Sequence, residues 1–227
     1  MTDRICVAVA QETVEEALTV AGLAASQADV IEIRLDYLRE MHVTPFLAAI
    51  ETPLLFTNRP AWEGGLFTGN EDARLAPLLE AVEQEAAYVD LELMAPVQSL
   101  KRLQAGIEHA STRLILSWHN FKQTPERSEL VARLQAMQEN GAHIGKIVTM
   151  AHNFRDVLRV LQLQEDAVRM HFPLIAFCMG RPGVISRLAT LELGGFMTYC
   201  SANDSQATAP GQLSVAALRE IVERLRG

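Results

Sequence analysis

A lysine in an apolar run is a candidate nucleophile. Lys146 sits in HIGKIVTMA, residues 143–151. Of the 20 lysines and arginines only three are lysines, and the other two, Lys101 and Lys122, stand in polar surroundings. Burial among apolar side chains and arginines disfavours an ammonium, and the neutral amine attacks ketones and aldehydes to form an imine. The plainer alternative is a lysine that snorkels out of a strand end. His119 closes the run RLILSWHN, 113–120. A histidine beside such an amine can move protons at neutral pH. The remaining histidines, His42, His109, His143, His152 and His171, fall in helices, loops or the approach to a strand.

Polar groups recur on one parity of short β-branched runs, and side chains alternate across a strand. Glu32, Arg34 and Asp36 share one face of 30–37, opposite Ile31, Ile33 and Leu35. Thr57 and Arg59 share a face of 53–59, Asp90 and Glu92 of 88–93, Ser117 and His119 of 113–120, and Lys146 and Val148 of 144–151. Buried charges are costly unless paired. Successive strands that turn ionisable groups inward therefore point to a site rather than an aliphatic core. A purely structural ion-pair network, Glu32 with Arg34 for instance, is the alternative. Asp90 and Glu92 are placed to orient the His119 ring; the alternative for them is pairing with neighbours on the third or fifth strand-like run.

Arg187 lies in GRPGVISRL, 180–188, where a glycine-bearing turn leads into a helix. That arrangement suits a carboxylate or a phosphate. The loops 59–70, with Glu63 beside Gly64 and Gly65, and 203–214 read as lids or binding loops. Cys6, Cys178 and Cys200 read as buried, reduced thiols. Asp, His and Cys do not cluster at metal-ligand spacing, so neither a metal nor a cofactor is expected.

The elements that must position these residues follow from periodicity. Strand-like runs at 5–10, 30–37, 53–59, 88–93, 113–120, 144–151, 173–180 and 196–202 alternate with helical segments at 12–25, 43–51, 71–87, 96–109, 127–140, 153–166, 182–192 and 214–226. Strand–helix alternation implies parallel strands with helical crossovers. Eight such units predict an α/β chain folded as a single (β/α)8 TIM barrel spanning 1–227. A doubly wound open sheet is the rival, and no glycine-rich nucleotide turn follows the first strand to support it. Pro182 suits a first helical turn, Gly22, Gly106 and Gly141 lie near helix ends, and Ser214 is placed to cap the last helix.

Composition excludes several classes. The chain has 227 residues, 49% hydrophobic, with a formal net charge of −8. That balance is not disordered, does not suit a non-specific nucleic-acid binder, and includes no apolar run of membrane-spanning length. Glu12, Glu15 and Glu16 interrupt what would be the apolar stretch of a signal peptide. The expected setting is the cytoplasm, with a small-molecule substrate and neither nucleic acid nor membrane as partner.

Seven stretches, taken together, resemble the type I 3-dehydroquinate dehydratase family: EIRLDYL (32–38), FTNRPAWEGG (56–65), YVDLEL (88–93), SWHNFKQTP (117–125), GAHIGKIVTMA (141–151), FCMGRPGVISRL (177–188) and TAPGQLS (208–214). They fall in the family's order and cover most of the chain. The resemblance implies a (β/α)8 barrel, an imine between Lys146 and the C3 ketone of 3-dehydroquinate, and proton transfers by His119, with Glu63 assisting. It implies that Glu32, Arg34 and Arg59 hold the ring hydroxyls. Arg187 would clamp the carboxylate, with Thr208 and Gln212 in the loop that closes over it. It also implies a homodimer. Departures from the family's pattern are Asn120 and His143, where Asp is usual, Thr208 in place of Ser, and a longer stretch from Tyr199 to Thr208. A class I aldolase or transaldolase-like barrel acting on a sugar phosphate is the alternative enzyme. A ligand-binding barrel without activity is the alternative outside enzymes.

Overall fold

A computed structural model describes residues 4–206 and 208–227. Residues 1–3 of the expected domain and Ala207 of the 203–214 loop lie outside the described residues. The strands are β1 (Ile5–Val9), β2 (Val30–Arg34), β3 (Leu54–Thr57), β4 (Tyr88–Glu92), β5 (Arg113–Asn120), β6 (Ile144–Met150), β7 (Leu174–Met179) and β8 (Thr198–Ser201). The helices are α1 (Val14–Ala24), α2 (Thr44–Ala49), α3 (Glu71–Glu83), α4 (Val97–Ile107), α5 (Arg127–Glu139), α6 (Phe154–Leu161), α7 (Leu163–Arg169), α8 (Val184–Glu192) and α9 (Val215–Arg226). Strand pairing is parallel throughout, in the order β7-β6-β5-β4-β3-β2-β1-β8. This is the expected barrel, nearly closed. Among the described residues no strand ladder joins β7 to β8. The backbone bond from Phe196 N–H to the Leu174 carbonyl, at 2.8 Å, ties that seam near the start of β7.

The two faces of each strand divide as their alternation requires. Ile31, Ile33, Val89, Leu91, Leu116, Trp118 and Ile147 belong to the large outer core beneath the helices. Cys6, Leu55, Ile115, Ile144, Val148, Ile175, Phe177 and Tyr199 fill the barrel interior. Burying these side chains supplies the main stabilisation, of order 1.5–3 kcal/mol for each large aliphatic group.

Several local expectations change. The helical pattern over 153–166 is two helices: the chain stays in αR geometry at Gln162, but a Glu165 N–H to Gln162 carbonyl contact of 3.2 Å replaces the regular ladder there. Gly22 and Gly106 do lie near helix ends, in the last turns of α1 and α4, but of the three only Gly141, at φ +72°, takes the left-handed conformation, just past α5. Ser214 occupies the position before α9 without a side-chain capping bond. Pro182 lies in a 3₁₀ turn, Arg181–Gly183, just ahead of α8. The caps that do form are Thr13 on Glu16 N–H, Asn70 on Ala73 N–H, and an Asn153–Asp156 capping box.

Candidate active site

The C-terminal ends of the strands surround a partly open cavity, the usual place for a small-molecule site in a barrel of this kind. All nine residues to which the family resemblance gave a role line it: Glu32, Arg34, Arg59, Glu63, His119, Lys146, Arg187, Thr208 and Gln212.

Lys146 is buried in the lumen wall rather than snorkelling outward. Its Nζ lies 3.2 Å from Asp90 Oδ2, 3.5 Å from Glu32 Oε1, and 4.1 Å from the centroid of the Tyr199 ring. Its polar neighbours are thus carboxylates, not the arginines expected. The reason lies in the strand register: Asp90 and Glu32 reach it from β4 and β2, while Arg34 is held by Asp36 and Arg59 by Asp90 and Glu92. Thr57 Oγ1 donates to Glu32 Oε1 at 2.9 Å, fixing that carboxylate.

The His119 ring is oriented by Glu63, not by Asp90 or Glu92. Glu63 Oε2 lies 2.9 Å from His119 Nδ1 and also accepts the His119 backbone N–H at 3.2 Å. Glu63 sits in a 3₁₀ turn, Ala61–Glu63, that Gly64 ends at φ +78°. A side chain at Gly65 would collide with the Arg59 carbonyl, so this turn requires a glycine there. The ring stacks on Phe121, with centroids 6.2 Å apart and planes 23° from parallel. Burial, reinforced by the Arg59 and Lys146 cations, holds the imidazole pKa well below its ordinary value. Burial pushes the Glu63 carboxyl up to about 8, against the pull of Arg59. With Nδ1 taken by Glu63, Nε2 is the ring nitrogen left for a ligand.

Asp90 and Glu92 belong to an ion-pair chain. Arg59 donates to Asp90 Oδ1 at 2.9 Å, to Glu92 Oε1, and to Ser117 Oγ at 2.6 Å. Arg74 takes the other oxygen of Glu92 and pairs with Glu71 at 2.7 Å. Burial works against the charge on Asp90, but Arg59 and Lys146 outweigh it and hold that carboxyl well below the usual range. Burial wins at Glu92, whose pKa is raised despite two guanidinium groups. Arg34 pairs bidentately with Asp36, at 2.8 and 2.7 Å, rather than with Glu32. Part of the inward charge is therefore structural: Asp90 and Glu92 pair with Arg59, just past β3, and Asp90 accepts from Ser117 on β5, as the alternative reading held, whereas Glu32 and Arg34 do not pair with each other.

Arg187 differs from these arginines. It is 1% exposed, yet no carboxylate pairs with it among the described residues. Its Nε and one terminal nitrogen have no partner; the other donates to the Tyr199 carbonyl at 3.4 Å. The guanidinium lies over the Phe177 ring, 4.5 Å from its centroid. Burial without a counter-ion pulls its pKa down to about 10, so it stays a cation near neutrality. A buried unpaired cation is costly, and the cavity it lines offers room for an anion. Beside it Gln212 Oε1 accepts from Thr208 N–H at 2.7 Å and Thr208 Oγ1 at 3.0 Å. Gly180 N–H bonds the Pro210 carbonyl at 3.3 Å, seating this loop on the one that follows β7.

A family model described as type I 3-dehydroquinase matches residues 5–226. The chain belongs to that family. A 3-dehydroquinate dehydratase of Desulfotalea psychrophila is 47% identical over 97% of this chain and 97% of its own length. The crystal structure of 3-dehydroquinate dehydratase from Geobacillus kaustophilus covers 100% of this chain and 92% of that one, at TM-score 0.91 and 30% identity. That of a type I 3-dehydroquinate dehydratase from Clostridium difficile, with covalently modified comenic acid, covers 98% and 92%, at TM-score 0.89 and 29% identity.

The residues that depart from the family's pattern do so without entering the cavity's ion pairs. Asn120 Oδ1 accepts the Lys122 and Gln123 backbone N–H groups, both at 3.0 Å, and shapes the turn after β5 instead of touching the imidazole. His143 Nδ1 accepts the Leu114 N–H at 3.0 Å, outside the cavity. Thr208 places its hydroxyl on Gln212. Sequence reasoning missed the aromatic wall of this family member: Phe121, Phe177 and Tyr199 line the cavity. The inward parity of the last two, shared with Ile175 on β7 and with Met197 just ahead of β8, carried a signal for them.

Proposed function

We propose that Lys146, His119 and Glu63 carry out the hydro-lyase reaction of this family, removing water from 3-dehydroquinate to give 3-dehydroshikimate in the shikimate pathway. Lys146 Nζ attacks the C3 ketone, and loss of one water leaves a protonated imine. That group is a stronger electron sink than the ketone, so the C2 proton becomes more acidic. His119 Nε2 takes the proton, with Glu63 as carboxylate accepting the Nδ1–H and stabilising the imidazolium. The enamine expels the C1 hydroxyl, which leaves as water with the proton His119 returns. Hydrolysis of the remaining imine consumes one water and frees Lys146. Arg187 receives the substrate carboxylate, and Glu32, Arg34 and Arg59 face the ring hydroxyls, with Thr208 and Gln212 closing above. Fixed placement of the reacting proton against His119 is the main contribution of these contacts.

The observation that carries this reading is one cavity lined by a buried lysine, a glutamate-bound histidine and an unpaired buried arginine. Formation of the conjugated enone product, followed by ultraviolet absorbance with purified protein and 3-dehydroquinate, tests it. No product from folded protein would reject it. The sugar-phosphate aldolase is the weaker reading, because the matched family is the dehydratase one and Arg187 is the cavity's one guanidinium without a carboxylate among the described residues.

The chain acts, on this proposal, as one catalytic domain over 1–227 and as a homodimer in the cytoplasm. The exposed apolar side chains of Phe154, Leu158, Val168 and Leu193 on and beside α6 to α8 support an association surface. Sedimentation equilibrium gives the mass that decides it. Three free, buried cysteines suit a reducing compartment. Among the described residues no helix is long and apolar enough to cross a membrane.

A further inference from the structure

Phe177 and Tyr199 face each other across the one place where, among the described residues, neighbouring barrel strands do not pair. Phe177 is on β7 and Tyr199 on β8, the two ends of the sheet order. Their rings meet with centroids 5.9 Å apart, tilted by 46°. Each ring also carries one of the cavity's cations, the two assigned to the ketone and to the carboxylate. Lys146 Nζ lies 4.1 Å from the Tyr199 centroid, and the Arg187 guanidinium 4.5 Å from that of Phe177. All four side chains are buried. The Tyr199 hydroxyl has no hydrogen-bond partner among the described residues, so no polar contact there competes with the use of its face.

The geometry points to this ring pair as a spacer: it bridges the open seam between β7 and β8 and holds Lys146 and Arg187 at a set separation, so that the site selects ketones that carry a carboxylate at the matching distance. This rests on the assignment of Lys146 to the ketone and Arg187 to the carboxylate. The physical basis is that an aromatic face attracts a cation at a defined distance, and more strongly where water is excluded. Two rings in contact form a stiff body, having few rotatable bonds. Backbone hydrogen bonds fix the other strand pairs of the barrel; at the level of the cavity the rings take over that task. Tyr199 and Phe177 are positioning residues on this account, acting through the two cations.

The test separates the face of the ring from its bulk. Tyr199→Phe, and replacement of Tyr199 by 3,4,5-trifluorophenylalanine, keep the shape and progressively weaken the face. Relative to Tyr199→Phe, the trifluoro variant is expected to lose about tenfold in kcat/KM, within the range a desolvated cation–π contact supports. Reductive methylation of Lys146 by formaldehyde, measured against exposed Lys101 and Lys122 in the same molecule, is expected to change by about threefold or more along the series. Phe177→Leu and Tyr199→Leu test the spacing. Borohydride trapping on Lys146 is compared for 3-dehydroquinate and its carboxamide analogue, and the preference for the carboxylate is expected to fall at least about tenfold in the leucine variants. An unchanged preference in a folded leucine variant, or a flat fluorine series, overturns the spacer. If a leucine variant does not fold, the fluorinated series still decides. Wild-type protein that neither traps nor dehydrates 3-dehydroquinate defeats the dehydratase reading instead, and the formaldehyde series then still reports whether the Tyr199 face holds the amine.

Discussion

Glu63 Oε2 lies 2.9 Å from His119 Nδ1, and the other oxygen of Glu63 is buried with no partner. The pair is therefore a buried titrating unit, and its base form exists when the carboxyl is ionised. Glu63 is pushed up to about 8, while His119 stays neutral across that range because its own pKa is depressed. The rate, as kcat/KM, should rise with pH through a midpoint near 8. Glu63→Gln keeps an acceptor for Nδ1–H but removes the titration, so that limb should vanish from its pH–rate profile. A limb that persists near 8 in the glutamine variant would assign it to another group.

The same shift has a consequence for stability. A carboxyl whose folded-state pKa is raised contributes stability present below its unfolded value and lost as pH rises through the folded one. Wild-type protein should thus lose stability between about pH 4.3, the ordinary glutamate value, and about pH 8, where the folded Glu63 ionises. Glu63→Gln should have the higher Tm at pH 8 and a flatter dependence between the two values. Thermal unfolding across that range checks the sign.

Arg187 and Arg74 are both almost fully buried, but removal should act on them in opposite ways. Arg187 has no carboxylate among the described residues, so Arg187→Leu should leave Tm unchanged or raise it. It should also cost about 2–5 kcal/mol of substrate transition-state binding, as loss of a buried charge partner does, read as kcat/KM. A variant that loses stability in step with activity would make Arg187 a structural residue.

Arg74 takes one oxygen of Glu92 and so supports the Glu92–Arg59 contact. Arg74→Met should destabilise the fold by about 3 kcal/mol, because it leaves one oxygen of the buried Glu92 carboxylate without its cation. Adding Glu92→Gln should recover part of the loss. Chemical denaturation of the single and double variants measures that coupling.

The barrel was legible because two periodicities alternate along the chain, and the register then placed Lys146, His119, Arg59 and Glu32 in one cavity. What was not legible is partner choice among inward charges. Glu32 and Arg34 are neighbours on one strand face, yet Arg34 turns to Asp36 in the 3₁₀ turn that follows β2. His119 takes its carboxylate from a loop residue, Glu63, because the turn at Pro60–Gly65 folds back over β5, and alternation within strands carries no information about that. The break at Gln162 was hidden for a similar reason: the buried positions Val157, Val160 and Leu163 keep a helical spacing straight through it.

Covalent chemistry at Lys146 is the centre of the account. Borohydride added during turnover of 3-dehydroquinate should give a stable adduct by intact mass, mapped to the peptide carrying Lys146. Lys146→Met should show no adduct and a rate lower by about a thousandfold or more, the scale on which loss of a nucleophile acts. An adduct on Lys101 or Lys122 alone, or full turnover by the Lys146→Met protein, would contradict the account.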